Sequence, residues 1–352
     1  MTRSIGIDML RVISVVAVVL GHAWAFMPGE EYLQIWRMPL FFFLTGYFLS
    51  SYRTFRQEAA VRWRTLGVPY ATWFVILSAL VLVHELSPKP FDAESAGSLI
   101  AGAAYGGGLT HSPYLAFWFI SVLFFAVLLV RGLLRLPWWT HLLAAAGGLA
   151  LAEAPDSLMS YTPLGIGLAP ACAAYILAGY WVRRLLTVPL IQPWAASPGA
   201  GALGLVLIAG GMVGVNSGLR TMNMKWSGFG DFLISPLLAV MICVGLVLIF
   251  STWADRGLSL LPGARPVISG LVATGTLVVF LHPYILFLMS GIVEFPPARV
   301  LVALAVCWPL GLLVNRTRLS RWLTGFGAKG GAARRQDAAA TPAAVPPTGG
   351  PS

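Results

Sequence analysis

Ten apolar runs of roughly twenty residues, each about the length needed to cross a ~30 Å hydrocarbon layer, follow one another through this chain with only short polar segments between them. They lie near 5–26, 35–50, 66–86, 113–134, 137–153, 164–182, 199–216, 232–252, 267–290 and 298–314, the second and fifth being short. A soluble domain of 352 residues could not bury so much apolar surface, and only 10% of the residues are charged, against about a quarter in soluble proteins. With a mean hydropathy of +0.80, the expected fold class is all-α: a polytopic membrane protein of about ten transmembrane helices.

Charge placement tests that count. With the amino terminus in the cytoplasm, 17 of the 23 Lys and Arg residues fall on the inner side, which is the bias that orients helical membrane proteins. Removing or adding one span would scatter the clusters over both faces. The reading therefore places both termini in the cytoplasm, in the cell membrane, and assigns the net charge of +10 to topology and membrane lipids; no nucleic-acid partner is implied. Residues 1–324 form the membrane domain, and 325–352, ending in Ala, Pro, Thr and Gly, are expected to be a disordered cytoplasmic tail. The longest outer loop, near 87–112, carries Gly106-Gly107-Gly108 and reads as a mobile cover; it lacks the Lys-Ser/Thr of a phosphate loop. Cys172, Cys243 and Cys307 stand singly in apolar runs and form neither a metal site nor a disulfide framework. Asp8, Arg11 and His22 within the first run argue against a cleaved leader.

Ionisable groups inside a span are costly and mark function by default, which singles out the first helix. Arg11 and His22 are eleven residues apart, close to whole turns, so they share a face about 16 Å apart in depth. Asp8, one turn before Arg11, can orient it by an ion pair. The second chemical feature is the inner loop bearing Arg53, Arg56, Arg62 and Arg64, whose guanidinium groups suit bidentate phosphate recognition and also serve as a positive-inside anchor. His282 precedes Pro283 at a depth similar to that of His22, so two imidazoles can face one polar pocket. These features alone fit a secondary transporter as well as an enzyme, although the two halves of the chain show no repeat.

The order of the motifs narrows the choice. Ile7-Asp8-Met9-Leu10-Arg11 followed by Val18-Val19-Leu20-Gly21-His22, then Met38-Pro39-Leu40-Phe41-Phe42-Phe43-Leu44-Thr45-Gly46-Tyr47, Arg62-Trp63-Arg64 with Pro69-Tyr70, Phe117-Trp118-Phe119-Ile120, and finally Gly275-Thr276-Leu277 with Leu281-His282-Pro283 resemble the bacterial acyltransferase 3 membrane proteins, particularly the fucose 4-O-acetylase-like branch. Thr45 and Thr276 stand where that family commonly has Ser. The resemblance implies transfer of an acyl group, commonly acetyl from acetyl-CoA, to a hydroxyl of a cell-envelope sugar or small molecule. It further implies that His22, Arg11 and His282 are catalytic, that Arg62, Arg64, Arg53 and Arg56 hold the acyl-CoA, that Asp8 orients Arg11, and that no metal takes part.

Overall fold

The computed structural model describes residues 4–85, 93–154 and 158–327. Among them the chain is all-helical, without strands beyond one isolated bridge between Asn223 and Gly228. In order, the helices are α1 (Ile5–Ala23), α2 (Glu30–Tyr47), α3 (Phe55–Arg62), α4 (Val68–Glu85), α5 (Ala93–Tyr105), α6 (Phe117–Leu133), α7 (Trp138–Ala152), α8 (Ala169–Leu186), α9 (Gln192–Ala195), α10 (Pro198–Asn216), α11 (Ile234–Ser251), α12 (Trp253–Ser259), α13 (Ala264–Leu288), α14 (Pro296–Val314) and α15 (Ser320–Leu323). A π turn, Trp63–Gly67, joins α3 to α4.

Seven helical segments are long and apolar enough to cross a membrane: Ile5–Ala23, Phe55–His84, Pro163–Leu186, Pro198–Asn216, Ile234–Ser259, Ala264–Leu288 and Pro296–Val314. The three other expected runs are helical too, as α2, α6 and α7. The last of these has 15 residues, about 22 Å of helix, which is short for a hydrocarbon layer. Two starts differ from the sequence reading by five residues. The second run begins at Glu30, because Glu30 and Glu31 occupy the first turn, where the helix dipole favours carboxylates. The sixth becomes regular α-helix only at Ala169, since Leu164 (φ 55°) and Gly165 (φ 66°) hold left-handed backbone just after Pro163.

Local chemistry explains where helices start. Ser4 caps α1, its Oγ accepting from the Ile7 N–H and donating to Asp255 at 2.7 Å; the same carboxylate oxygen takes the Gly6 N–H. Thr54 and Gln57 form a reciprocal capping box on α3. Pro198 and Pro296 open α10 and α14, where a missing N–H costs nothing.

Packing follows small residues, as expected where helices associate in lipid. α10 lies on α11 with Gly204 facing Gly245; a Cβ on either would come within 2.7 Å and 2.6 Å of the other's carbonyl oxygen. Outward faces carry Leu142, Leu143, Val206, Val213, Leu237 and Leu301, apolar side chains that suit lipid. The interior holds an aromatic cluster of Phe42, Tyr114, Phe117 and Phe280, with α1 packed between α2 and α13 beside it.

The loop read as a mobile cover contains α5, and its three glycines lie against the Ser160–Gly165 segment, Gly107 and Gly108 being buried. Lys89 and the rest of 86–92 lie outside the described residues. Gly325 and Phe326 pack back on the helices: Gly325 meets Thr65, and the Phe326 carbonyl accepts from Ser320. The tail expected to be disordered otherwise falls, at 328–352, outside the described residues.

Candidate functional site

α1 and α13 bring together two side chains that are 260 positions apart. His22 Nδ1 lies 2.9 Å from His282 Nε2, and the rings are stacked 15° from parallel. The partner on the far side of His282 decides how that bond is polarised. His282 Nδ1 is 2.8 Å from the carbonyl of Val278, and because a carbonyl only accepts, Nδ1 carries the proton. In the neutral ring Nε2 is then an acceptor, so His22 donates from Nδ1 and keeps the lone pair of its Nε2 unspent. Pro283, lacking an N–H, leaves the carbonyl of Val279 without its helical donor.

His141 shows what a structural histidine looks like in the same fold. Its Nε2 lies 2.9 Å from the carbonyl of Leu133 and its Nδ1 accepts from the Trp181 indole, so both nitrogens are consumed. His22 Nε2 has no such partner among the described residues.

Arg11 sits toward the other end of α1. Its guanidinium is 3.7 Å from Asp8, which is buried, and lies over the Phe48 ring at 5.2 Å from the centroid. Arg11 and His22 are thus on one continuous helix, as their spacing predicts, and are separated in depth rather than in contact.

The basic loop is organised around an acid. Glu58 is fully buried on α3 and receives Arg62 at 2.7 Å, Arg53 at 3.4 Å and, from α6, Arg131 at 3.5 Å. Three guanidinium groups around one carboxylate leave local positive charge, and Arg131 also donates to the carbonyl of Ser50. Arg56 and Arg64 stand exposed beside this cluster, outside its ion pairs. The structure therefore divides the four expected donor-binding arginines into two that are anchored on Glu58 and two that project outward.

Beyond Arg62 the π turn widens the helix, and an apolar cavity of about 260 Å³ opens against it, lined by Trp63, Leu66, Gly67, Tyr70 and, from α6, Ile120 and Phe124. Tyr70 then packs on Phe117 and Phe280, and Phe280 is two residues from His282. Packed aromatic side chains thus lead from the turn after Arg62 to Phe280, on the helix that carries His282.

Residues 4–315 match the model of the acyltransferase domain family, the acyltransferase 3 family. The chain belongs to that family. No curated protein and no solved structure matches it.

The acyltransferase domain thus takes in the histidine pair, Arg11 with Asp8, and the whole arginine cluster. Sequence reasoning missed two parts of it. Glu58 was legible as the lone acid in a loop of arginines, four residues before Arg62 and so on its helical face. Arg37 gave no signal in a charge count, but it lies in contact with Gly21, where any Cβ would overlap its guanidinium.

Proposed function

We propose that this acyltransferase moves an acyl group, acetyl in the simplest case, from a cytoplasmic acyl-CoA to a hydroxyl of a cell-envelope sugar or small molecule, with Arg11 on the inner side of the cell membrane and His22 toward the outer side. The observation that carries the reading is the ordered pair of histidines, which leaves His22 Nε2 as a base held in place by a neutral His282. The likeness of its motifs to the fucose 4-O-acetylase branch favours a sugar as acceptor.

In this reading His22 Nε2 takes the proton of the acceptor hydroxyl as its oxygen attacks the thioester carbonyl. The C–O bond forms, the C–S bond breaks, and the departing CoA sulfur receives the proton from His22. His282 keeps the imidazole in the required tautomer, the task that a third group performs in other nucleophile and base pairs. Arg53, Arg56, Arg62 and Arg64 hold the CoA phosphates, with Arg131 adding a fifth guanidinium, and the apolar cavity at Trp63 and Tyr70 accommodates the pantetheine arm. Arg11, oriented by Asp8, meets the donor on its way to His22.

The test is transfer of labelled acetyl from acetyl-CoA into envelope material by membranes containing the protein. Wild type should incorporate label and His22→Ala should not, at equal protein levels. Full turnover by His22→Ala would remove the base assignment, and absence of label from both with envelope acceptors supplied would count against acyl transfer.

A further inference from the structure

Two cations, Arg37 and Lys225, are not used by this mechanism. Arg37, on α2, is largely buried, and its Nη1 is enclosed without any hydrogen-bond partner. The guanidinium lies against Gly21, the residue preceding His22, in a slot that exists only because Gly21 has no side chain. Its nearest carboxylate does not satisfy it. Glu30 is 3.9 Å from Nη2, and its oxygens are already taken, one by the Gln34 amide at 2.6 Å and the other by the Phe26 N–H at 2.9 Å. Gln34 is in turn held by Thr221, which fixes the arrangement from the segment that also carries Lys225.

Lys225 shows the same imbalance. Its ammonium donates to the carbonyl of Thr110 and lies 5.0 Å from the centre of the Trp226 ring, and no carboxylate pairs with it among the described residues. Burial pushes its ammonium down to about 8. The two cations are tied through Gln34, which donates to Glu30 beside Arg37 and accepts at 3.0 Å from Thr221, four residues before Lys225. By contrast Arg220, on the exposed part of the same segment, is fully engaged with Asp231 at 2.9 Å and with Glu153 at 3.8 Å. Under-neutralised cations on linked segments, one of them against the residue preceding the base and with an enclosed and unused N–H donor, are what an anion-binding site requires.

We propose that Arg37 and Lys225 form a subsite for an anionic group, a carboxylate or a phosphate, carried by the hydroxyl acceptor. The inference rests on the acyl-transfer reading for the role of the hydroxyl, whereas the anion is read from the two cations alone. The anion would complete the donor set of Arg37 and draw the acceptor against His22, so that the acceptor class is an acidic or phosphorylated sugar rather than a neutral one.

The test uses the full chain in lipid nanodiscs with methyl glucuronide, glucose 6-phosphate and uncharged methyl glucoside as probes. It is read in two ways, by labelled acetyl transfer from acetyl-CoA and by the shift of the thermal unfolding midpoint with each probe alone. At least one charged probe should exceed the glucoside in kcat/KM by about tenfold or more and should raise the midpoint, and comparing the glucuronide with the phosphate identifies which anion is preferred. Arg37→Gln and Lys225→Gln should each bring the ratio of charged to neutral probe close to one; Lys225→Gln carries the test if Arg37→Gln does not fold. Equal behaviour of charged and neutral probes in wild type by both readings would overturn the subsite, as would a charge preference that survives in both variants. Transfer without charge preference sinks the subsite and leaves acyl transfer standing. A midpoint shift by a charged probe that is lost in the variants, with no transfer to any probe or to envelope material, does the reverse.

Discussion

His282 receives a hydrogen bond from His22 at 2.9 Å while its own Nδ1 is committed to the Val278 carbonyl, so one imidazole sets the tautomer of the other. Replacing His282 with Ala should lower kcat by about 10²-fold, within the usual range for disabling general-base catalysis, with the KM for acetyl-CoA nearly unchanged. His282→Gln, which keeps a side-chain acceptor, should recover part of the loss. Initial rates of labelled transfer check this; a His282→Ala variant at full kcat would show that His22 needs no orienting partner.

Glu58 is the centre of the arginine cluster, and removing its charge leaves three guanidinium groups facing one another. Glu58→Gln should cost about 3–5 kcal/mol of stability, the scale for breaking a buried ion pair, read from thermal unfolding in detergent. Exposed Arg56 and Arg64 are different. Their replacement by Ala should raise the KM for acetyl-CoA and leave stability within about 0.5 kcal/mol. Arg62→Ala should do both.

Lys225 predicts a pH dependence. Burial lowers its folded pKa from 10.5 to about 8, so the folded protein disfavours the charged form. Below about pH 8 that penalty is fully present, and it is lost as pH rises through the folded value toward the unfolded one. Stability should therefore increase over this window in wild type, and the increase should be absent in Lys225→Gln, as followed by unfolding midpoints in a pH series.

The α10–α11 contact tolerates no Cβ. Gly204→Ala or Gly245→Ala should destabilise by at least ~1–3 kcal/mol, as overpacking usually does. Gly147 in α7 has open space around it, so Gly147→Ala should be neutral or stabilise by up to about 1 kcal/mol through helix propensity. Reversal of that order would contradict the packing described for α10 and α11.

Helical periodicity made Arg11 and His22 readable as one face of one helix, and the apolar runs gave the helices themselves, since both depend on local spacing. His282 could be placed by depth and by Pro283, but its contact with His22 is made across 260 positions and needs the packing of α1 on α13. Other features left little trace. Leu164 adopts φ 55° although a leucine does not advertise left-handed backbone, so the start of α8 was misplaced. α5 is 13 residues long, too short to stand out as a span, and its segment reads as loop by its glycines. Arg37 counted as one more charge near a helix end; only the slot at Gly21 distinguishes it.

The π turn at Trp63–Gly67 accommodates one more residue than an α-helix of the same rise, which rotates everything after it by about 100° relative to everything before. The face of α3 that carries Glu58 and Arg62 and the face of α4 that carries Tyr70 are therefore indexed separately. Deleting a single residue there would leave every side chain of the cluster and of the cavity present, yet turn the two halves out of phase, uncoupling donor capture from the histidine pair without removing any group that takes part in either.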